Sequence, residues 1–449
     1  MDSALATRIA TEFAAAMPQL PAAVRSAAQR QAAIARLAER GLPDSRDENW
    51  KYVNLRLLEK VRFAPADGAT TPALTLAELP PRIAGYARYT FVDGRFAPAL
   101  SEPIRYAGVR VEPMDHRRAE ASAQAQPTAA AEDSLEGGAT AGAAADLRFA
   151  LLNDAFATDG ARIHVAAQTQ CATCIELVFV ASSAGKTAAS YPRVDFRVGA
   201  GARVGLIERH VSASSDANFI ISAVQVQLER DAHVQHYRVQ QTGARAICFD
   251  TLNLTLAQNA CYRLYGLNLG ALSARSTVHA QLMGRGSEVG IFNVSVANRS
   301  QVHDTYALVE HVAPDARTEQ VFRGICGGRG RVAFNGKIVV HQGAHGTDSS
   351  QVMRGLLAGA EAEIDLRPQL EIYTDDVRCS HGATTGKLDE DMLFYMLSRG
   401  LDRETAMRLL KWAFLQDVVA RIEVPELRRQ IEQSLARELN EAAALKELL

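Results

Sequence analysis

The chain has 449 residues, 47% of them hydrophobic, and its 49 Lys and Arg residues nearly balance its 51 Asp and Glu residues. A chain of this length can bury enough apolar surface to fold without disulfides or a structural metal. The net charge of −2 excludes the broad basic field by which many proteins bind nucleic acid.

The signals that send a chain into or across a membrane are also missing from the sequence. Asp2 stands where a secretory signal would carry basic residues, and no apolar core follows it. No window approaches the ~18 to 20 apolar residues of a membrane helix. The six cysteines are irregularly spaced and do not form a disulfide framework. We therefore expect a cytoplasmic protein without a membrane segment.

Residues 1–160 are predicted to form an N-terminal helical region. Apolar residues recur at helical spacing between residues 5 and 16 and again between 32 and 38, and a short helix is expected at 147–156. The stretch near 119–146 is rich in Ala, Gly, Ser and Gln. Such a composition buries little apolar surface, so we predict a flexible insertion there.

From 161 to 387 the hydrophobic pattern changes to a period of two, which is typical of strands with one buried face. The runs Val224-Gln-Val-Gln-Leu228 and Leu252-Asn-Leu-Thr-Leu256 are examples. Turn signals such as Asp231 and Asn259 recur roughly every 26 to 31 residues, with no helical pattern between them. This regular interval predicts the stacked rungs of a β-solenoid. A β-sandwich is the competing all-β fold.

Residues 388–449 are predicted to form a C-terminal helical domain. Asp389 and Asp402 are suitable N-caps, and Pro425 is suited to the first turn of a last helix. The predicted fold is therefore mainly β, with a solenoid core between helical ends.

Two glycine clusters resemble nucleotide-binding loops only in part. The cluster at 199–205 is followed by a strand pattern instead of a helix, and the cluster at 324–330 lacks the Gly-Lys-Ser/Thr ending of a phosphate loop. We interpret both clusters as turns of the solenoid and expect this chain to bind no nucleotide.

Cys171-Ala-Thr-Cys174 has the spacing of half a zinc site or of a redox pair. A complete zinc site needs a second pair, and the redox motif normally begins a helix, whereas a strand pattern follows Cys174. The sequence therefore favours a structural role for these two cysteines.

Cys379-Ser-His381 lies where the strand pattern ends and the helical pattern begins. Side chains two residues apart on an extended backbone point to the same side, and a thiolate with an imidazole suits a soft transition metal or the edge of an iron–sulfur cluster. Two ligands do not complete a site, so this interpretation requires a site shared with another subunit. An ordinary rung end and a Cys–His nucleophilic pair are the alternatives.

Around these residues the sequence resembles the SufB/SufD family of the SUF machinery for iron–sulfur cluster assembly. The Cys-Ser-His-Gly-Ala-Thr string beginning at Cys379 has the form found in the SufD branch of that family. Other matching segments are Trp50-Lys51-Tyr52, 147–164, Phe334-Asn335-Gly336-Lys337-Ile338, 368–384 and Ser398-Arg399-Gly400.

This resemblance implies a right-handed parallel β-helix flanked by helical domains. It further implies a non-catalytic scaffold that pairs with SufB through the end of the β-helix and docks the SufC ATPase through its C-terminal helices. An iron–sulfur cluster would be held transiently at the SufB interface, with His381 contributing and Cys379 beside it. The sequence leaves open whether the isolated chain forms a homodimer.

A β-helix enzyme that acts on polysaccharides is the rival function. Asp375 and Asp376 would supply its acids, and Arg378 a basic group. The missing secretory signal and the helical ends, which suit partner proteins, favour the scaffold.

Overall fold

The computed structural model describes residues 3–44, 46–66, 74–115, 147–182 and 188–439. The insertion predicted near 119–146 lies outside these described residues. None of the described helices is both long enough and apolar enough to cross a lipid bilayer.

The N-terminal helices are α1 (Ser3–Ala16), α2 (Ala27–Arg40) and α3 (Arg148–Phe156). Ser26 caps α2 through a capping box, in which its Oγ accepts from the Gln29 backbone N–H and the Gln29 side chain accepts from the Ser26 N–H. Gly41 follows the last residue of α2 and has a φ of 72°, which few residues other than glycine adopt. These helices confirm the periodicity read from the sequence. Short 3₁₀ helices lie at Met17–Gln19, Leu55–Glu59, Leu76–Glu78 and Pro98–Leu100.

The described residues form twenty strands. They are β1 (Ala87–Val92), β2 (Arg95–Phe96), β3 (Val109–Pro113), β4 (Gly160–Val165), β5 (Gln170–Ala181), β6 (Ala188–Ser190), β7 (Arg193–Val198), β8 (Arg203–Ser212), β9 (Asn218–Leu228), β10 (His233–Thr242), β11 (Ile247–Leu256), β12 (Cys261–Gly270), β13 (Ser273–Leu282), β14 (Glu288–Ala297), β15 (Val302–His311), β16 (Arg317–Cys326), β17 (Arg331–Val340), β18 (Thr347–Leu357), β19 (Glu363–Ile372) and β20 (Val377–Gly386).

These strands form two ten-stranded sheets. The first sheet has the order β2-β1-β5-β8-β10-β12-β14-β16-β18-β20. The second runs from β19 through the odd-numbered strands to β7, β4 and β3, and its tenth strand, β6, pairs with β9. Successive strands from β8 onward alternate between the sheets, and each pairs in parallel with the strand two places along the chain. The β-solenoid prediction is confirmed, and the sandwich alternative is wrong because hairpin pairing does not build this core.

The turns between rungs lie where the sequence placed them. Asp231, Asn259 and Asp315 have positive φ values of 58°, 54° and 59°, the left-handed conformation that Asn and Asp tolerate best among residues other than glycine. The Asn259 side-chain amide donates to Asp231 Oδ1 at 3.0 Å, which ties one turn to the next. The two glycine clusters, 199–205 and 324–330, also contain turns between strands.

The region 1–160 is not purely helical, which corrects the sequence prediction. It contributes β1, β2 and β3, and β1 pairs in parallel with β5 to extend the first sheet. All six residues of β1 are buried, so its sequence lacks the alternation that marks a half-exposed strand.

The C-terminal helices are α4 (Glu390–Ser398), α5 (Arg403–Val419) and α6 (Pro425–Glu438). As predicted, Asp389 and Asp402 cap α4 and α5 with side-chain oxygens that accept backbone N–H groups. Apolar residues of α5 and α6 pack on the outer face of the first sheet, where Tyr237, Tyr265 and Phe292 are buried. The helices therefore cover a flank of the solenoid and leave its last rung open.

Leu254 tests the core. This side chain is fully buried on β11, in register between Val226 and Ala280. Leu254→Ala should lower the free energy of unfolding by about 2–5 kcal/mol, because it removes buried methyl groups and leaves a cavity. Thr255→Ala, half-buried on the other face of the same strand, is the control and should change it far less. Urea unfolding followed by circular dichroism makes the comparison, and equal losses would contradict the rung assignment.

Candidate functional site

Cys379 and His381 lie on β20, the last strand of the first sheet. In the parallel register with β18, Cys379 stands beside Ser349 and His381 beside Gln351. Cys379 is partly buried against the solenoid core, whereas His381 is exposed. The two side chains therefore occupy neighbouring positions on one face of the final rung, as the sequence spacing predicted.

On the two strands that precede β20 in the first sheet, buried polar residues form a column that leads to His381. Gln351 lies beside Gln320 on the next rung, and its amide donates to Gln320 Oε1 at 3.4 Å. Both glutamines are 1% exposed. Among the described residues, Gln351 Oε1 and Ser349 Oγ have no hydrogen-bond partner. The solenoid interior is therefore polar where it approaches the Cys–His pair.

Sequence reasoning missed this column, although a signal for it is present. Thr318-Glu-Gln320 and Ser349-Ser-Gln351 place polar residues at inward positions that most other strands fill with Val, Leu or Ile. On the preceding rung, the positions in register with Thr318 and Gln320 carry the apolar residues Val289 and Ile291, so the change to polar residues is visible along the chain.

The rung that carries the pair is open. In the described part of the chain, β19 and β20 are the terminal strands of their sheets, so each leaves one edge without a neighbouring strand. Six of the nine large apolar side chains that are exposed among the described residues belong to this end: Val352, Ile372, Tyr373, Met392, Phe394 and Tyr395. Exposed apolar residues beside unpaired strand edges are typical of a surface that a partner covers.

The pair alone does not complete a metal site. Within the described ranges, no group of three or more His, Cys, Asp or Glu side chains is arranged to hold a metal ion. Protein-bound iron–sulfur clusters and tetrahedral metals are held by about four ligands. Cys379 and His381 offer two donors, so a cluster bound here would need ligands beyond this pair.

The residues of the rival function are placed differently. Asp375 and Asp376 are exposed on the bend between β19 and β20. Neither lines the groove of about 250 Å³ on the outside of the first sheet, whose walls include Arg263, Glu288 and Arg317. Glycosidases need two carboxyl groups on opposite sides of a bound sugar. The observed placement gives the polysaccharide hypothesis no support.

A second titratable cluster lies deep inside the solenoid. The Glu208 carboxylate lies 2.5 Å from His210 Nε2, 3.0 Å from His236 Nε2 and 3.5 Å from Arg238 Nε. The Tyr262 hydroxyl lies 2.6 Å from the other ring nitrogen of His236. Burial by itself raises the pKa of Glu208, but Arg238 and the two histidines outweigh it and hold that pKa well below its ordinary value. We interpret this cluster as a structural ion-pair network.

Glu208→Gln tests the network. The substitution leaves Arg238 partly unpaired in the interior and should cost about 3–5 kcal/mol of unfolding free energy at pH 7. Because the pKa of Glu208 is lower in the folded chain, its stabilisation is complete above the unfolded value of 4.5 and is lost as the pH falls through the folded value. The difference in unfolding free energy between the wild type and Glu208→Gln should therefore become smaller in acid.

Glu319→Gln is the matched control, since Glu319 forms an exposed ion pair with Arg421 at 2.7 Å. Glu319→Gln should lower the free energy of unfolding by less than about 1 kcal/mol. Urea titrations of both variants at pH 7 and in acid make the comparison. Equal effects of the two substitutions would contradict a structural role for the buried network.

The protein is a two-sheet parallel β-solenoid with helical ends. Its last rung is open and carries a Cys–His pair. Residues 179–414 match the family described as "SUF system FeS cluster assembly, SufBD core domain". This match spans from within β5 to within α5. The chain belongs to the SufBD family of the SUF system for iron–sulfur cluster assembly.

Individual relatives agree with this assignment. The iron–sulfur cluster assembly protein SufD of Escherichia coli (strain K12) is 30% identical over 411 residues, which cover 90% of each chain. A SufBD family protein of Synechocystis is 26% identical over 420 residues, covering 91% of this chain and 90% of the relative. The expected resemblance to the SufD branch is thereby confirmed.

Proposed function

We propose that this chain is a non-catalytic scaffold subunit of the SUF machinery, located in the cytoplasm, on which iron–sulfur clusters are assembled with partner proteins. The observation that carries this proposal is the open last rung, where Cys379 and His381 lie beside unpaired strand edges. Family membership supplies the chemical context, since the Escherichia coli relative is named as an assembly protein.

The first proposed partner is SufB, bound at the edges of β19 and β20. Pairing of one strand edge with another supplies main-chain hydrogen bonds, and exposed apolar residues such as Ile372 and Tyr373 supply area to bury. When SufB is absent, the same edge would pair with a second copy of this chain. The rung that carries His381 then lies at the subunit interface.

The cluster is formed and transiently held between the two subunits. The exposed imidazole of His381 contributes one ligand through a deprotonated ring nitrogen, and SufB contributes the remaining ligands. Cys379 is partly buried and less accessible than His381. We therefore assign the histidine the main contribution and the cysteine a supporting position.

The second proposed partner is the SufC ATPase, bound by the C-terminal helices. In α4 only Leu393 is buried, while Met392, Phe394 and Tyr395 are 58%, 72% and 57% exposed. An apolar helix face of this kind fits a groove on a partner. The exposed flank of α5 extends this surface.

Replacing His381 by alanine separates the proposed site from the assembly. His381→Ala should fold normally and still co-purify with SufB and SufC, because the exposed imidazole contributes little packing. Cluster formation on the purified complex should fall roughly tenfold or more. It is measured by iron and sulfide content and by visible absorbance. Cys379→Ala should give a milder loss.

Ser380→Ala is the control for position on the strand, since Ser380 lies between the pair and projects to the opposite face. It should assemble clusters at the wild-type rate. Wild-type cluster formation by His381→Ala would show that the ligands lie wholly on SufB and would overturn the shared site.

The two docking surfaces should respond to different substitutions. Phe394→Ala combined with Tyr395→Ala should abolish co-purification of SufC and retain SufB, whereas Tyr373→Lys should weaken SufB pairing and retain SufC. Truncation of the C-terminal helices is a poorer test, because α5 and α6 cover apolar residues of the first sheet. Met283→Ala, which removes an exposed apolar residue elsewhere, should affect neither partner. Loss of both partners in each variant would contradict separate surfaces.

A further inference from the structure

The two cysteines of the Cys171-Ala-Thr-Cys174 segment meet in the structure. Their Sγ atoms lie 2.7 Å apart, and both residues are free thiols. A disulfide bond is about 2.05 Å long, so only a small movement of the two side chains is needed to form one.

A bulge in β5 produces this contact. Cys171 pairs with Val204 and Ile175 pairs with Leu206, so three residues of β5 lie opposite the single residue Gly205 of β8. The two additional residues bring the side chains of Cys171 and Cys174 together on one side of the strand. An ordinary strand would hold residues three apart on opposite faces.

Gly205 shows that the bulge is built into the sequence. A Cβ atom at position 205 would collide with the carbonyl oxygen of Ala172, which the bulge turns toward β8. Glycine is therefore the residue that allows the backbone of β5 to approach this closely. Both β5, which contains the bulge, and β8, which contains Gly205, therefore accommodate the Cys-Ala-Thr-Cys segment.

The two thiols differ in access. Ala172 and Thr173 at the tip of the bulge are exposed, Cys171 is partly buried and Cys174 is completely buried. Burial and the neighbouring Cys171 raise the pKa of the Cys174 thiol. Cys171 is therefore the thiol that an external reagent can reach, and Cys174 is the buried thiol next to it.

We infer that Cys171 and Cys174 form a redox-active dithiol that closes reversibly to an intramolecular disulfide. The oxidant is a low-molecular-weight disulfide of the glutathione class. The Cys171 thiolate attacks one sulfur of that disulfide, forming a mixed disulfide and releasing one thiolate. Cys174 then attacks the Cys171 sulfur and breaks the mixed disulfide, which completes the protein disulfide, and its proton passes to the second thiolate that is released. Disulfides in reducing compartments are usually transient ones of this kind.

This site is separate from the proposed cluster site. β5 lies near the β2 end of the first sheet, whereas β20, which carries Cys379 and His381, ends it on the other side. The dithiol therefore does not depend on the proposed function, and its test does not require SufB, SufC or iron.

The test uses the reduced full-length chain in buffers of increasing oxidised-to-reduced glutathione ratio. Residues 163–186 form one tryptic peptide that contains Cys171 and Cys174 and no other cysteine. After denaturing alkylation, mass spectrometry of this peptide should show a two-hydrogen loss with no alkylation, while the other four of the six cysteines remain alkylated. Dithiothreitol should reverse the change. Full alkylation of both thiols at every ratio would overturn the inference.

Variants separate this chemistry from general cysteine reactivity. Cys174→Ser should stop the reaction at the mixed disulfide, with one glutathionyl group on Cys171, whereas Cys171→Ser should leave buried Cys174 free. Cys261→Ser, at another partly buried cysteine, should form the disulfide as the wild type does. Equal glutathione incorporation at Cys171, Cys261 and Cys379 in the Cys174→Ser variant would mark unselective surface reaction and would also overturn the inference.

Discussion

In-register stacking of parallel strands is the constraint on which the rest of the structure depends. Each inward residue lies directly over its counterpart on the next rung, as Val226, Leu254 and Ala280 do in the second sheet. A slip of one residue would turn the inward side chains of a strand outward, so the apolar columns fix the register. The turns at Asp231 and Asn259 then keep the rung length nearly constant.

The same stacking brings polar residues into columns. In the middle of the solenoid, the Glu208 carboxylate lies 3.0 Å from His236 Nε2 and 3.5 Å from Arg238 Nε on the adjacent strand, since an isolated buried charge would be too costly. The column of Gln320 and Gln351 differs because it ends at exposed His381. In-register stacking therefore produces a buried ionic network in the centre of the solenoid and an accessible histidine at its last rung.

Much of the fold was predictable from the sequence, because period-two alternation and recurrent turn residues encode each rung locally. The buried strand β1 was not, since both of its faces are covered and its sequence does not alternate. The spacing of Cys379 and His381 was enough to place both on one face. Contacts across rungs, such as Glu208 with His236, depend on register, and the contact of Cys171 with Cys174 depends on a bulge; one sequence encodes neither in its hydrophobic period.

The last rung combines three deficits that a single partner can remove. Its strand edges leave backbone donors and acceptors unpaired, its apolar residues are exposed, and Cys379 and His381 offer fewer donors than a cluster needs. Any one of these is tolerable at a protein surface. Their coincidence at the end of a solenoid suits the proposed scaffold, because strand pairing by a partner would also fix the distance between that partner's ligands and the proposed ligand His381. A chain that closed its own last rung would gain stability and lose the open position of His381.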